Sequence, residues 1–253
     1  MGCNRHSLMG GSMLNDFLNY LQKQVDNHSM YVWGGQGEKP TEKFIRAHES
    51  GVNLVKALAF WNKARKLGFG NKMRCFDCSG LGMYWLMANN VYSYDMTANG
   101  MMSKGTVLKK SELRRGDWVF RTKNGVAKHI GYIVDDDLNV IEAKGRAYGV
   151  TKTIFSSADW DSYRRPACFA SEIKAQNAVY TFSRLLRKYS TGEDVKALQR
   201  LLNRSNNADL AADGQFGSKT LKAVKQFQKI KKLKVDGIAG EKTITALGGN
   251  WVK

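Results

Sequence analysis

GDWVFRTKNGVAKHIGYIVDDDLNVIEA, residues 116–143, is where the hydrophobic period of the chain changes. Trp118, Val119 and Phe120 form one apolar block. Asn124-Gly125 follows, a dipeptide suited to the two positive-φ positions of a tight hairpin turn. His129–Val134 is the next block, residues 135–139 the next turn, and Val140–Ala143 a third block. Short blocks between such turns predict an antiparallel meander. Before this stretch the spacing is helical. Apolar residues at 14, 17, 18, 21 and 25 predict an amphipathic helix over Leu14–Val25. Thr41–Leu67 reads as helical, with Phe44, Ala47, Leu54, Leu58 and Trp61 as its buried stripe, and Cys78–Ala88 carries Leu81, Tyr84, Trp85 and Ala88 at the same spacing. Helices followed by sheet make an α+β domain, placed at residues 13–170.

Past Cys168 the segment ASEIKAQNA is small and polar, and residues 171–178 read as a linker. Beyond it the chain repeats itself: DGQFGSKTLKAV at 213–224 matches DGIAGEKTITAL at 236–247, a period of 23. Each copy reads as a turn and a helix, with Gly214 and Gly237 free to take positive φ and Ser218 or Glu241 near the next helix start. Units this short bury their apolar faces by stacking. Residues 179–253 therefore read as a small all-α domain of three helices. The Asp-Gly-x-x-Gly copies are better explained as turn chemistry than as ligand contacts.

The 253 residues hold 43% hydrophobic side chains, enough for packed cores, but 40 Lys and Arg against 22 Asp and Glu, a net charge of +18. Residues 179–253 carry 15 basic and 6 acidic side chains, so the last third is the more basic part. Such a chain seeks a polyanion: nucleic acid, an acidic membrane surface or an anionic cell wall. No uncharged apolar run approaches the ~20 residues of a membrane helix, so membrane insertion is not expected. The N-terminus has no apolar h-region, hence no visible signal peptide. Met1-Gly2 is followed at position 6 by His6 rather than Ser or Thr, against myristoylation. Residues 1–12 read either as a vector-derived leader or as native sequence. Four cysteines do not suggest a disulfide scaffold.

Cys75-Phe76-Asp77-Cys78-Ser79-Gly80 has CxxC spacing and three readings. A redox pair wants a βαβ frame, and the downstream meander argues against one. A zinc site needs two further ligands; Cys168 and His129 are available, but there is no second paired motif. The third reading takes Cys78 alone as a nucleophile opening the helix 78–88. There the free N–H groups and the helix dipole would lower its pKa, and Cys75 would be a small buried residue. A thiolate nucleophile needs a base and a group to orient that base. Of the four histidines, His6 lies in the leader, while His28 and His48 sit among polar residues. His129 begins a strand. The hairpin after it opposes His129 to Glu142 or to Lys144, depending on where the turn is centred, and both lie on the same face. An imidazole N–H needs an acceptor, and an ammonium is only a donor. That selects Glu142, whose competing reading is a solvent-facing strand residue.

YVWGG at 31–35, FDCSGL at 76–81, RGDWVF at 115–120, HIGYIV at 129–134 and VIEA at 140–143 together resemble the NlpC-type family of papain-like cell-wall cysteine peptidases. The resemblance implies a papain-like catalytic domain in which Cys78 is nucleophile, His129 general base and then acid, and Glu142 holds the third polar position. It implies that Tyr31 lies beside the nucleophile, where its hydroxyl and the Cys78 N–H stabilise the oxyanion; the plainer reading of Tyr31 is a packed aromatic. Asp77 and Ser79 flank the nucleophile and either position substrate or cap the helix. About 40 residues separate YVWGG from FDCSGL, an insertion relative to compact members of the family. DVKALQRLLN, DGQFGSKTLKAVKQFQ and VDGIAGEKTITAL resemble the three-helix peptidoglycan-binding domain of bacterial and phage cell-wall hydrolases.

The resulting expectation is a modular, endolysin-like peptidoglycan hydrolase that uses no cofactor and no metal. It would cut next to D-Glu in the wall peptide, as a γ-D-glutamyl–diamino-acid endopeptidase or, alternatively, as an N-acetylmuramoyl-L-alanine amidase. Its partners would be bacterial peptidoglycan and anionic wall polymers. It would be made in the cytoplasm of the host bacterium and act on the wall after release. A non-catalytic wall-binding protein, a nucleic-acid binder and a papain-like acyltransferase are the rivals. The dispersed basic residues, with no nucleic-acid-binding motif, argue against the second of these.

Overall fold

A computed structural model describes residues 12–176, 180–206, 208 and 210–252; residues 1–11, most of the leader read above, lie outside it. The chain divides into two compact units. One comprises the described residues up to Leu108 together with Arg114–Lys174; the other comprises Lys109–Leu113 and the residues from Ala175 onward.

The first unit opens with α1 (Met13–Asp26), capped by the Ser12 hydroxyl, which accepts from the Asn15 N–H. Its apolar face, Leu14, Phe17, Leu18 and Leu21, enters the main core, where Phe17 meets Tyr132 edge-on and lies against Phe169. Burying each such side chain contributes about 1.5–3 kcal/mol. A small sheet follows: β1 (Met30–Tyr31) runs parallel to β3 (Cys75–Phe76), and β2 (Gln36–Glu38) pairs with β3 antiparallel.

Between β2 and β3 the expected single helix is two, α2 (Glu42–His48) and α3 (Gly51–Lys66). The break has a physical cause. The Glu49 carboxylate is buried and accepts from the Trp33 N–H at 2.8 Å and from Arg146, and Gly51 takes φ +53°. The buried stripe also differs. Ile45, Ala57 and Ala64 are its buried members, Phe44, Leu54, Leu58 and Trp61 pack against it, and Ala47 is exposed.

α4 (Gly80–Ala88) and α5 (Ala98–Met102) precede the large sheet. Its strands are β4 (Gly105–Val107), β5 (Trp118–Lys123), β6 (Val126–Ile133), β7 (Asn139–Gly145), β8 (Gly149–Ile154) and β9 (Ser162–Pro166). They lie in the order β4-β9-β5-β6-β7-β8, every neighbour antiparallel. The meander is thus longer than the three blocks that announced it. Asn124 and Gly125 take φ +53° and +74° in the β5–β6 turn. Asp117 of the RGDW segment is buried and receives two hydrogen bonds from Arg165, pinning the start of β5 to β9. Residues 171–176, read as linker, belong instead to α6 (Ala170–Gln176). Its Ile173 is buried in the main core, so the small, polar look of the segment came from its solvent-facing side.

The second unit holds α7 (Glu193–Asn206), α8 (Ser218–Ile230) and α9 (Glu241–Ala246), with β10 (Thr181–Phe182) parallel to β11 (Asn250–Trp251). The internal repeat has an atomic counterpart. Gln199 of α7 is buried; its amide donates to Asp213, the Gln215 carbonyl and Thr220, while its oxygen accepts from the Gly214 N–H. Gln228 of α8 makes the same set with Asp236, the Ile238 carbonyl, Thr243 and the Gly237 N–H. Gly214 and Gly237 both take φ +76°. Each Asp-Gly turn is therefore a structural device closed by a glutamine from the preceding helix. Among the described residues no helix is long and apolar enough to cross a membrane.

Candidate active site

Cys78 sits between β3 and α4, because the helix begins at Gly80 and not at Cys78 itself. The turn is held tightly. The Asp77 carboxylate accepts from the Gly80 N–H at 2.7 Å and from the Ser79 hydroxyl at 3.2 Å, and the Asp77 N–H donates to the Gly35 carbonyl at 3.0 Å. The Asp77 carboxylate thus caps the helix, Ser79 occupies the N-cap position with its hydroxyl turned to Asp77, and the glycines of YVWGG and CSG let the two backbones touch. A Cβ on Gly80 would collide with the Gly35 carbonyl oxygen. The Tyr132 hydroxyl donates to the Cys78 carbonyl at 3.4 Å, and it fits only because Gly82 has no side chain.

The expected low thiol pKa is not found. Burial, then the neighbouring Asp77 charge, push the Cys78 thiol up to about 11, against the pull of the Ser79, Ile130 and Cys78 N–H groups. Cys78 precedes the first helical turn and is largely desolvated, so the helix terminus does not outweigh the loss of water. The Ile130 N–H directed at the thiol places the sulfur next to the start of HIGYIV. Cys75 is fully buried on β3 and its thiol is pushed up to about 12, chiefly by burial; Cys168 is buried as well.

His129 Nε2 lies 2.7 Å from Glu142 Oε2, and Glu142 is fully buried. The hairpin register is Tyr132↔Ile141 and Ile133↔Val140. Continued, it opposes His129 to Lys144, not to Glu142; the bond runs diagonally along one face. Thr153 of β8 donates to the other Glu142 oxygen at 3.1 Å, and Arg121 of β5 lies 3.5 Å from Oε2. Burial raises the Glu142 pKa, but the His129 bond and charge, the Arg121 charge and the Thr153 bond outweigh it, so the carboxyl lies below its ordinary value. With Nε2 spent on an acceptor that stays ionised, Nδ1 carries the lone pair. His129 and Cys78 make no hydrogen bond to each other.

Tyr31 is buried on β1, close enough to Cys78 that a thiolate there would raise its own pKa, which burial already raises first. Its hydroxyl has no hydrogen-bond partner among the described residues. The Arg146 guanidinium covers the Tyr31 ring, its carbon 4.6 Å from the ring centre.

Residues 28–165 match the model of the NlpC/P60 family. The chain belongs to the NlpC/P60 family. Residues 191–247 match a second model, described as a putative peptidoglycan binding domain. A zinc D-Ala-D-Ala carboxypeptidase of Streptomyces albus G is 40% identical over 83 residues, 32% of each chain, so this chain spans about a third of that relative's length. Among solved structures, the NlpC/p60 domain of the peptidoglycan hydrolase SagA is 18% identical, with a TM-score of 0.39 over 60% of this chain and 97% of that one. The peptidoglycan hydrolase RipB of Mycobacterium tuberculosis is 20% identical, with a TM-score of 0.40 over 63% and 73%.

Several residues of this NlpC/P60 site carried no readable signal in the sequence. Trp160, from the loop before β9, stacks on the His129 ring at 5.7 Å between centroids, and Arg121 lies over Trp160 at 5.1 Å. Gly131 makes room for this, since a Cβ there would meet Val140 and approach Trp160 to 2.8 Å. A glycine inside a strand is itself a sign of close approach, so Gly131 was the one clue available. Thr153 and Glu49 are ordinary polar residues; the partner of the first lies on the adjacent strand β7, and Arg146, which pairs with the second, is 97 residues away.

Proposed function

We propose that the protein is a cysteine-dependent peptidoglycan hydrolase that cleaves an amide bond next to D-Glu in the wall peptide, as a γ-D-glutamyl–diamino-acid endopeptidase. The observation that carries the reading is His129. Its Nε2–H is held by a buried carboxylate, while Nδ1 is left on the strand whose Ile130 N–H faces the Cys78 sulfur. With a thiol pKa of about 11, only about one thiol in 10⁴ ionises unaided at pH 7, so a base must remove the proton as attack occurs. Cys78 Sγ bonds to the amide carbonyl carbon and its proton passes to His129 Nδ1. The oxyanion takes hydrogen bonds from the Cys78 N–H and the Tyr31 hydroxyl. His129 then protonates the leaving amine, the C–N bond breaks and a thioester remains. Water, giving a proton to His129, releases the acid and the thiol is restored. Glu142 keeps the imidazole in the tautomer this needs and stabilises its charged form.

The second unit would hold the enzyme on its insoluble substrate and raise the effective concentration of bonds to cut. Its excess of basic residues suits the anionic polymers of the wall. An endolysin-type role fits this pairing, with the enzyme made in the host cytoplasm and acting on the wall after release.

Mass spectrometry of fragments released from purified walls by the wild type and by Cys78→Ala tests the reading. New γ-D-glutamyl carboxyl ends and free diamino-acid amines are expected with wild type alone. Ends at the muramoyl–alanine bond would make it an amidase, new cross-links an acyltransferase, and unchanged release by the variant would remove the enzyme reading.

A further inference from the structure

Arg146, on the turn between β7 and β8, has a use the mechanism above leaves out. Its Nε donates to both oxygens of Glu49 at 2.9 Å. Glu49 is buried at the break between α2 and α3 and is itself fixed by the Trp33 N–H at 2.8 Å. The guanidinium is thus held by one corner and laid over Tyr31, the residue whose hydroxyl neighbours Cys78. Among the described residues its two terminal nitrogens have no hydrogen-bond partner, and its side chain keeps 21% of its exposure. A planar fork, immobilised on one side and open on the other, is suited to receive a carboxylate through two parallel hydrogen bonds. Because Glu49 has already ordered it, little side-chain entropy remains to be lost on binding.

The inference rests on the γ-glutamyl reading of the preceding section. When a glutamyl residue is linked through its side-chain carboxyl, its α-carboxyl is left free, a short hydrocarbon chain away from the scissile carbonyl. We propose that Arg146 is a specificity-determining residue that binds this free α-carboxylate, with Glu49 as its positioning residue. The enzyme therefore discriminates against stems in which that carboxylate is amidated. The insertion that carries α2 and α3 supplies Glu49 and so takes part in substrate selection.

The test uses the full chain and two synthetic stem peptides, identical except for an α-carboxylate or an α-carboxamide on the γ-linked D-glutamyl residue. Wild type is expected to favour the acid by about 10- to 100-fold in kcat/KM, mostly through KM, as for a hydrogen-bonded charge pair. Arg146→Gln brings the ratio close to one, and Arg146→Lys retains part of the preference. Because Arg146→Gln leaves Glu49 buried without its partner, the double variant Glu49→Gln with Arg146→Gln is the second probe, and it too is expected to lose the preference. A wild-type ratio near one, or a preference that survives in the double variant, overturns the assignment of Arg146 and leaves the hydrolase reading intact. Cleavage of neither peptide by wild type overturns the γ-glutamyl reading, and this inference with it.

Discussion

His129 Nε2 and Glu142 Oε2 meet across 2.7 Å although the hairpin register places Gly131, not His129, opposite Glu142. A Cβ on Gly131 would meet Val140 and Trp160, so this glycine leaves room for the ring that stacks on His129. Glu142→Gln keeps an acceptor for Nε2–H but removes the charge that offsets imidazolium, so kcat/KM should fall roughly 10- to 100-fold. Glu142→Leu removes the acceptor as well and should cost more. Steady-state kinetics on a soluble peptide checks the order.

The same carboxylate sets an acid limit. Its folded pKa lies below the ordinary value, so the fold favours the ionised form. That contribution to stability is fully present above the unfolded pKa of about 4.3 and is lost as pH falls through the lower, folded value. Thermal midpoints measured from pH 6 downward should fall below about pH 4.3, and less steeply in Glu142→Gln. Parallel curves would assign the acid sensitivity to other carboxylates.

The Cys78 thiol, pushed up to about 11, should be a slow nucleophile toward a small alkylating agent in resting enzyme. Its rate with iodoacetamide should climb about tenfold per pH unit from neutrality toward pH 10. Cys78→Ala provides the background from the remaining cysteines. A rate already on a plateau below pH 7 would instead reveal a preformed thiolate–imidazolium pair.

Gly82 and Tyr132 are matched. A methyl group on Gly82 would collide with the Tyr132 hydroxyl and ring, which lie in the main core. Gly82→Ala should destabilise by about 1–3 kcal/mol and lower activity, since the same hydroxyl holds the Cys78 carbonyl. Adding Tyr132→Phe should recover part of the stability, a coupling read from a double-mutant cycle of denaturation curves.

Gln199 and Gln228 close equivalent turns with equivalent bonds. Replacing either with leucine leaves the turn N–H and the aspartate without a buried partner and should destabilise the second unit by about 1–3 kcal/mol. Calorimetry should find the two losses similar. A large difference would mean that the turns are alike in sequence only.

What the sequence made legible followed from local rules. The Leu14–Val25 spacing, the Asn124-Gly125 turn and the alternation through HIGYIV each report a face or a bend set by neighbours in the chain. The acceptor argument also picks Glu142, where register alone points to Lys144. The break at Glu49 was hidden, because it depends on Trp33 and on Arg146, 97 residues away. Trp160 was hidden for the same reason, as were β8 and β9, whose Thr, Lys and Arg residues carry no apolar alternation. The raised Cys78 pKa is not legible in the sequence, because a helix terminus is visible there and desolvation is not. Segment 171–176 looked like a linker because Ile173 is a lone apolar residue with its partners in α1 and the main core.

Glu172 of α6 accepts hydrogen bonds from the Ser12 hydroxyl and from the Leu14 N–H, the latter at 3.1 Å. The carboxylate of the first unit's last helix therefore serves as a cap for its first, and the strand of chain between them returns to its starting point. A unit whose entrance and exit share one residue's carboxylate can be spliced into another chain as a cassette, or cut open elsewhere and rejoined at that seam, without stretching its core.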